Sequence, residues 1–186
     1  MSYGYRLSVS THHPLKTEKE MNGTIYRNRT LRLKNYDYSQ NGLYFITICT
    51  NDRQAYFGEI KDGQLIPNNA GKMVEDMWLG LYNRFDFIDL HNHIVMPNHF
   101  HAIIEITNSQ NSTHIGNIIG AFKSLSTNAY IKGVHNHNWL GFEKKLWQKN
   151  YYEHIIRSEK SYLYISDYIT NNPLKWDLDR FYIPTV

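Results

Sequence analysis

From His99 to Thr107 the side chains alternate in character with a period of two. Phe100, Ala102, Ile104 and Ile106 fall on one side, and His99, His101, Ile103, Glu105 and Thr107 on the other. An extended chain sends residues i and i+2 to the same face, so this stretch has to be a strand with at least one buried face. The same geometry sets two imidazoles side by side while Phe100 points the opposite way. Neutral imidazole is a common ligand for divalent transition metals, and a strand holds two such groups more rigidly than a loop. The pair is expected to open into a cleft. It also needs company, because two histidines leave a divalent ion under-ligated.

The neighbouring segments supply a frame for that strand. Leu43 to Asn51 is apolar on both faces and reads as a central strand. Asp62-Gly63, between Gln54 to Ile60 and Gln64 to Ile66, is a hairpin signal. Met73, Met77, Trp78, Leu81 and Tyr82 recur at helical spacing between Asn69 and Arg84. Phe87 to Met96 is a strand, and the short link Pro97-Asn98 makes it antiparallel to the histidine strand. A second helix, capped by Ser112 or Thr113, runs to about Lys132 with Ile115, Ile118, Ile119, Phe122, Leu125 and Ala129 on one face. Gly133 to Asn138 reads as a loop and Leu146 to Tyr152 as a short strand. A last helix, Ser158 to Asn172, is stopped by Pro173. This order predicts an α+β fold, a central antiparallel sheet with flanking helices, which the sequence alone puts on one face.

A chain of 186 residues is long enough for one domain with a real core. Residues 1–30 are polar and aperiodic and read as a flexible N-terminal extension, with Met21 an alternative first residue; residues 31–186 are the expected catalytic domain. A basic cluster, Arg27, Arg29, Arg32 and Lys34, spans that boundary. One cysteine, Cys49, excludes an internal disulfide framework and a multi-cysteine zinc module. Neither a signal-peptide core nor a membrane-length apolar run is present, so a cytoplasmic setting is expected. The net charge of +3 leans toward an anionic partner. Most of the 15 tyrosines are expected to fill sheet faces.

The last helix offers what the histidine pair lacks. Tyr168 and Asn172 are four residues apart and share a helical face, beside the apolar stripe of Ile165 and Ile169. An asparagine carbonyl suits a hard cation, and a tyrosine hydroxyl is a competent nucleophile once its proton is removed. Tyr164, one turn earlier on the same face, competes with Tyr168, as do Tyr151, Tyr152 and Tyr162.

Met96-Pro97-Asn98-His99-Phe100-His101 resembles the histidine-hydrophobe-histidine motif of the HUH endonucleases. Phe122-Lys123-Ser124, the run from Trp147 to Arg157, and Tyr168-Ile169-Thr170-Asn171-Asn172-Pro173-Leu174-Lys175-Trp176 resemble segments of the REP-associated tyrosine transposases. The resemblance spans residues 30 to 178 and keeps the segments in order. It implies a ferredoxin-like HUH transposase fold and a single-stranded DNA endonuclease and strand transferase acting at a palindromic hairpin, as a monomer or a homodimer. It further implies that His99, His101 and Asn172 ligate Mg²⁺ or Mn²⁺ and that Tyr168 is the nucleophile, forming a 5′-phosphotyrosine.

Lys123, Lys149, Arg157 and Lys175 are candidate phosphate contacts, and Trp147 and Trp176 candidate stacking platforms. Glu105 is a candidate outer partner of the histidines or simply a solvated glutamate. His135-Asn136-His137 repeats the spacing in a polar stretch and reads as exposed, and His91-Asn92-His93 matches a nuclease nickname only by accident. The alternative function is a domesticated DNA-hairpin-binding protein without turnover. Histidine-based nucleotide hydrolases need a further histidine where this chain has Ile103.

Overall fold

The computed structural model describes residues 41–107 and 113–182. The expected N-terminal extension and the basic cluster after it lie outside those residues, as does Ser112. The elements run β1 (Gly42–Cys49), β2 (Gly58–Lys61), β3 (Gln64–Pro67), α1 (Asn69–Leu79), β4 (Ile88–Met96), β5 (His99–Ile106), α2 (Ile115–His137), β6 (Tyr152–Ile156) and α3 (Glu159–Asn171). Four strands form an antiparallel sheet in the order β4-β5-β1-β6, and β2 and β3 make a separate hairpin. That hairpin turns on Asp62 and Gly63, both at positive φ, the backbone a tight two-residue turn demands. Among the described residues no helix is long and apolar enough to cross a membrane.

β1 is the centre of the sheet. Its register sets Thr47 opposite His101 and Phe45 opposite Ile103 on β5, and Thr47 opposite Tyr152 on β6. Tyr44, Ile46 and Ile48 join Phe100, Ala102 and Ile104 against Val74 and Trp78 of α1 and Ile118, Ile119 and Phe122 of α2. The alternate residues face the other way, where Ile103 and Ile156 pack on Ile165 and Ile169 of α3, flanked by Leu43 and Phe45. The helices therefore cover both faces of the sheet rather than the one expected. Apolar residues interleaved with the histidines, Phe45 and Ile103 above all, give α3 a surface to bury.

Two boundaries differ from the sequence reading for reasons of packing. The second helix runs through Gly133 to His137, and His114, whose side chain makes no capping hydrogen bond, stands at its N-cap position in place of Thr113. Trp139 folds back so closely that any side chain at Gly133 would meet its ring, and Asn138 ends the helix in the left-handed conformation that favours asparagine or glycine. His135 and His137 thus sit on the last helical turn, exposed. The last strand starts at Tyr152, not Leu146, because Leu146 and Trp147 are drawn into the core. Trp147 donates from Nε1 to Ser126 Oγ at 2.9 Å and packs on Phe57 at 5.0 Å, which leaves it a single bridge to Thr50.

Candidate active site

β5 presents His99 and His101 to the α3 side, but they do not open into a cleft: they are 0% and 1% exposed. The end of α3 and the chain after Pro173 roof them over. His99 stacks on Trp176 at 5.9 Å and lies 4.8 Å from the Phe181 ring, while His101 stacks on Phe45 at 5.3 Å. Phe181 is held in turn by the guanidinium groups of Arg180 at 4.5 Å and Arg53 at 5.5 Å.

The hydrogen bonds fix how each imidazole is presented. Asn98 donates from Nδ2 to the carbonyls of Phe181 at 2.8 Å and Arg53 at 3.1 Å, so its Oδ1 must be the atom that faces His99 Nδ1 at 2.9 Å. A carbonyl oxygen only accepts, hence His99 Nδ1 carries the proton and Nε2 keeps its lone pair. His99 Nε2 is buried and has no hydrogen-bond partner among the described residues. His101 Nδ1 meets Thr47 Oγ1 at 2.8 Å, and its Nε2 lies 3.4 Å from the Tyr168 hydroxyl. Burial pushes the His99 imidazole down to about 3, helped by the positive charges of Arg180 and Arg53. His101 is lowered by burial and by His99. Both rings are neutral at pH 7, the state in which imidazole ligates metals.

α3 begins at the Ser158 cap, whose side chain accepts from Ser161 N at 3.2 Å. Buried Ile165 and Ile169 anchor it to the sheet and so bring Tyr168 and Asn172 over the histidines. Asn172 is 2% exposed; its Nδ2 donates to Asp179 Oδ2 at 3.1 Å, and its Oδ1 is buried without a partner among the described residues. Tyr168 donates to Asp179 Oδ2 at 3.4 Å. Burial and the Asp179 carboxylate push the phenol up to about 12, against the opposing charge of Arg180.

Asp179 escapes any reading by periodicity, yet it, His99 and His101 bring ligand atoms within 4.8 Å of one another. Leaving a buried polar atom unmet costs about 1–3 kcal/mol, and two such atoms, His99 Nε2 and Asn172 Oδ1, belong to these residues. Two imidazole nitrogens, a carboxylate and an amide oxygen make a donor set that suits a divalent cation. Asn98 was the other unassigned member. Its place in the histidine tetrad was the only signal, whereas Asp179 offered none.

The remaining candidates separate from this centre. Tyr164 is 72% exposed, and Tyr162 shares a hydrogen bond with His91 Nδ1 at 3.2 Å. Glu105 pairs with His91 Nε2 at 3.1 Å rather than with either buried histidine. Lys123 donates to the carbonyls of Gln148 at 2.5 Å and Lys149 at 3.0 Å, and burial brings its ammonium down to about 8. Lys149, Arg157 and Lys175 are exposed. Trp147 is 3% exposed and has no face left for a base.

The model of the IS200-like transposases matches residues 39–172. An uncharacterised protein of Haemophilus influenzae is 36% identical over 184 residues, covering 87% of this chain and 97% of that one. A second protein of the same organism, assigned as a REP-associated tyrosine transposase, is 26% identical over 153 residues, 77% of each chain. Among solved structures, a REP-associated tyrosine transposase bound to a REP hairpin has the same fold, with a TM-score of 0.56 at 21% identity over 77% of this chain and 73% of that one.

Proposed function

This chain belongs to the IS200-like transposase family, and from that premise we propose that it is a metal-dependent endonuclease and strand transferase for single-stranded DNA. It cuts at or near a hairpin through a 5′-phosphotyrosine. The carrying observation is the Tyr168 hydroxyl, 3.4 Å from both His101 Nε2 and Asp179 Oδ2 within a buried set of metal-type donors. The hairpin bound by the fold neighbour supports the choice of substrate.

In this reading Tyr168 Oη attacks phosphorus and its proton passes to Asp179, the acceptor at hand. A phenol pushed up to about 12 needs that acceptor at neutral pH. The bond from phosphorus to the 3′ oxygen breaks, and the departing oxygen takes the proton that Asp179 received, becoming a 3′-hydroxyl. The phosphate stays on Tyr168 as a diester to the downstream 5′ carbon, so an incoming 3′-hydroxyl can reverse the step without ATP. His99, His101 and Asn172, with Asp179 beside them, would hold Mg²⁺ or Mn²⁺. When bound, that cation supplies Lewis-acid stabilisation of charge on the scissile phosphate. Access requires Trp176 and Phe181 to leave His99, and their cover is what favours the second reading, a hairpin-binding protein without turnover.

The test is a labelled hairpin oligonucleotide with single-stranded flanks, incubated with the protein and Mn²⁺ or Mg²⁺. An adduct stable to denaturing electrophoresis is expected, abolished by chelator and reduced about a thousandfold or more in Tyr168→Phe. Unchanged adduct in that variant sinks the nucleophile assignment. Hairpin binding indifferent to chelator, with no adduct under either metal, establishes the second reading instead.

A further inference from the structure

An open cleft of about 510 Å³ lies on the same face of the sheet as the histidines, between the end of β5 and the start of α3, with Leu43, His91, Glu105, Arg157 and Tyr162 in its wall. Such a volume falls in the range of small-ligand pockets. Tyr162 and Tyr168 are six residues apart on α3, about 9 Å along the axis, a span of no more than a few nucleotides. The cavity is therefore within reach of a strand held at Tyr168.

Its wall is shaped by an irregularity in β4. Leu90 faces Ile104 and His93 faces Ala102, so three steps on β4 match two on β5. Bulges of this kind re-aim side chains and recur beside functional sites. Here His93 goes to the α1 side, 3.5 Å from Glu75, while His91 goes to the α3 side. There His91 links Glu105 and Tyr162, donating from Nε2 to Glu105 Oε2 at 3.1 Å and sharing a hydrogen bond from Nδ1 with the Tyr162 hydroxyl at 3.2 Å. The two rings meet edge to face at 5.6 Å. The Glu105 side chain is 37% exposed, and among the described residues its Oε1 has no hydrogen-bond partner.

A carboxylate beside a polyanion repels phosphate, so it suits a DNA surface only where it accepts a hydrogen bond from a base. We propose that this cavity holds one unpaired base of the bound strand and that Glu105 selects a base with an exocyclic amino group over thymine. Cytosine, adenine and guanine each offer an amino hydrogen to the free oxygen, whereas the one ring donor of thymine, N3–H, lies between two carbonyl oxygens that repel the carboxylate. The Tyr162 and His91 rings supply the apolar wall, and Arg157 at the rim meets the backbone. The inference rests on the single-strand reading of the previous section.

The experiment measures binding of 20-nucleotide oligo(dC), oligo(dA) and oligo(dT) to the full chain in chelator, by fluorescence anisotropy. The native protein is expected to prefer oligo(dC) and oligo(dA) to oligo(dT) by about tenfold, within the range of one good base contact. Glu105→Gln, whose amide also donates, should bring that ratio to within about twofold. Leu43→Trp, which fills the cavity from its apolar side, should do the same and guards against a Glu105 variant that fails to fold. An unchanged ratio in both variants, or no preference in the native protein, overturns the base pocket and leaves strand cleavage standing. Failure of the native protein to bind any of the three would instead remove the single-strand reading itself.

Discussion

Phe100, Ala102 and Ile104 on one side of β5 and His99, His101 and Ile103 on the other are all fully buried, yet the two faces are buried differently. On the first, Phe100 packs against Trp78 at 4.9 Å and Phe122 at 5.1 Å, and cover comes from two helices. On the second, the cover is one helix and an irregular segment, and buried polar atoms on His99 and Asn172 are left unmatched. Burying an apolar ring is favourable in itself, whereas a buried polar atom without a partner is a cost. One face thus stabilises the fold, and the other offsets part of that gain by burying polar atoms.

The strongest way to break this contrast is Phe100→Ala. It should lower the unfolding free energy by about 3–5 kcal/mol, as large-to-small core changes do; a urea melt in which it loses under about 1 kcal/mol would deny that this face dominates stability. The second probe is pH. His99 and His101 have folded values held below the unfolded one, so the unfolded state takes up more protons as pH falls below about 6.5, and stability drops with it. Between pH 7 and pH 5, metal-free protein should lose about 2 kcal/mol through His99, with His101 acting in the same direction, and a flat urea midpoint over that interval would mean that the rings are not buried as described. A smaller effect is expected from Asn98→Ala, which frees His99 to rotate and change tautomer. Mn²⁺ affinity by titration calorimetry should fall about 10–100-fold; no change would leave Asn98 with only its bonds to the Arg53 and Phe181 carbonyls. Smallest of all is Tyr164→Phe, expected to alter adduct yield by less than about twofold because its hydroxyl is in solvent. A larger loss would reopen the choice between Tyr164 and Tyr168.

Much of this was legible because short-range periodicity carries it. The alternation through β5, the two-residue link to β4, the Ser158 cap and the Pro173 stop are all local, and so is the placement of Tyr168 and Asn172 on one turn-related face of α3. What escaped was non-local. Gly133 reads as a helix end because nothing nearby in sequence announces Trp139 lying across it. Leu146 and Trp147 read as a strand because a core-bound tryptophan and a strand tryptophan are the same letter. Glu105 shares a face with the histidines yet belongs to His91, because the register of β4 shifts by one residue between Leu90 and His93.

Two imidazoles on one face of a strand, and a tyrosine and an asparagine four residues apart on a helix, follow from the order of residues alone, since both rest on fixed backbone repeats of two and 3.6. That these faces meet, that the histidines are enclosed rather than open, and that Asp179 lies beside them are consequences of long-range packing. From Pro173 the chain runs through a kinked 3₁₀ segment to Leu178 and leaves regular structure only there, so where Asp179 lands depends on the packing of Trp176 and Phe181 against His99, a long-range contact that no local pattern encodes.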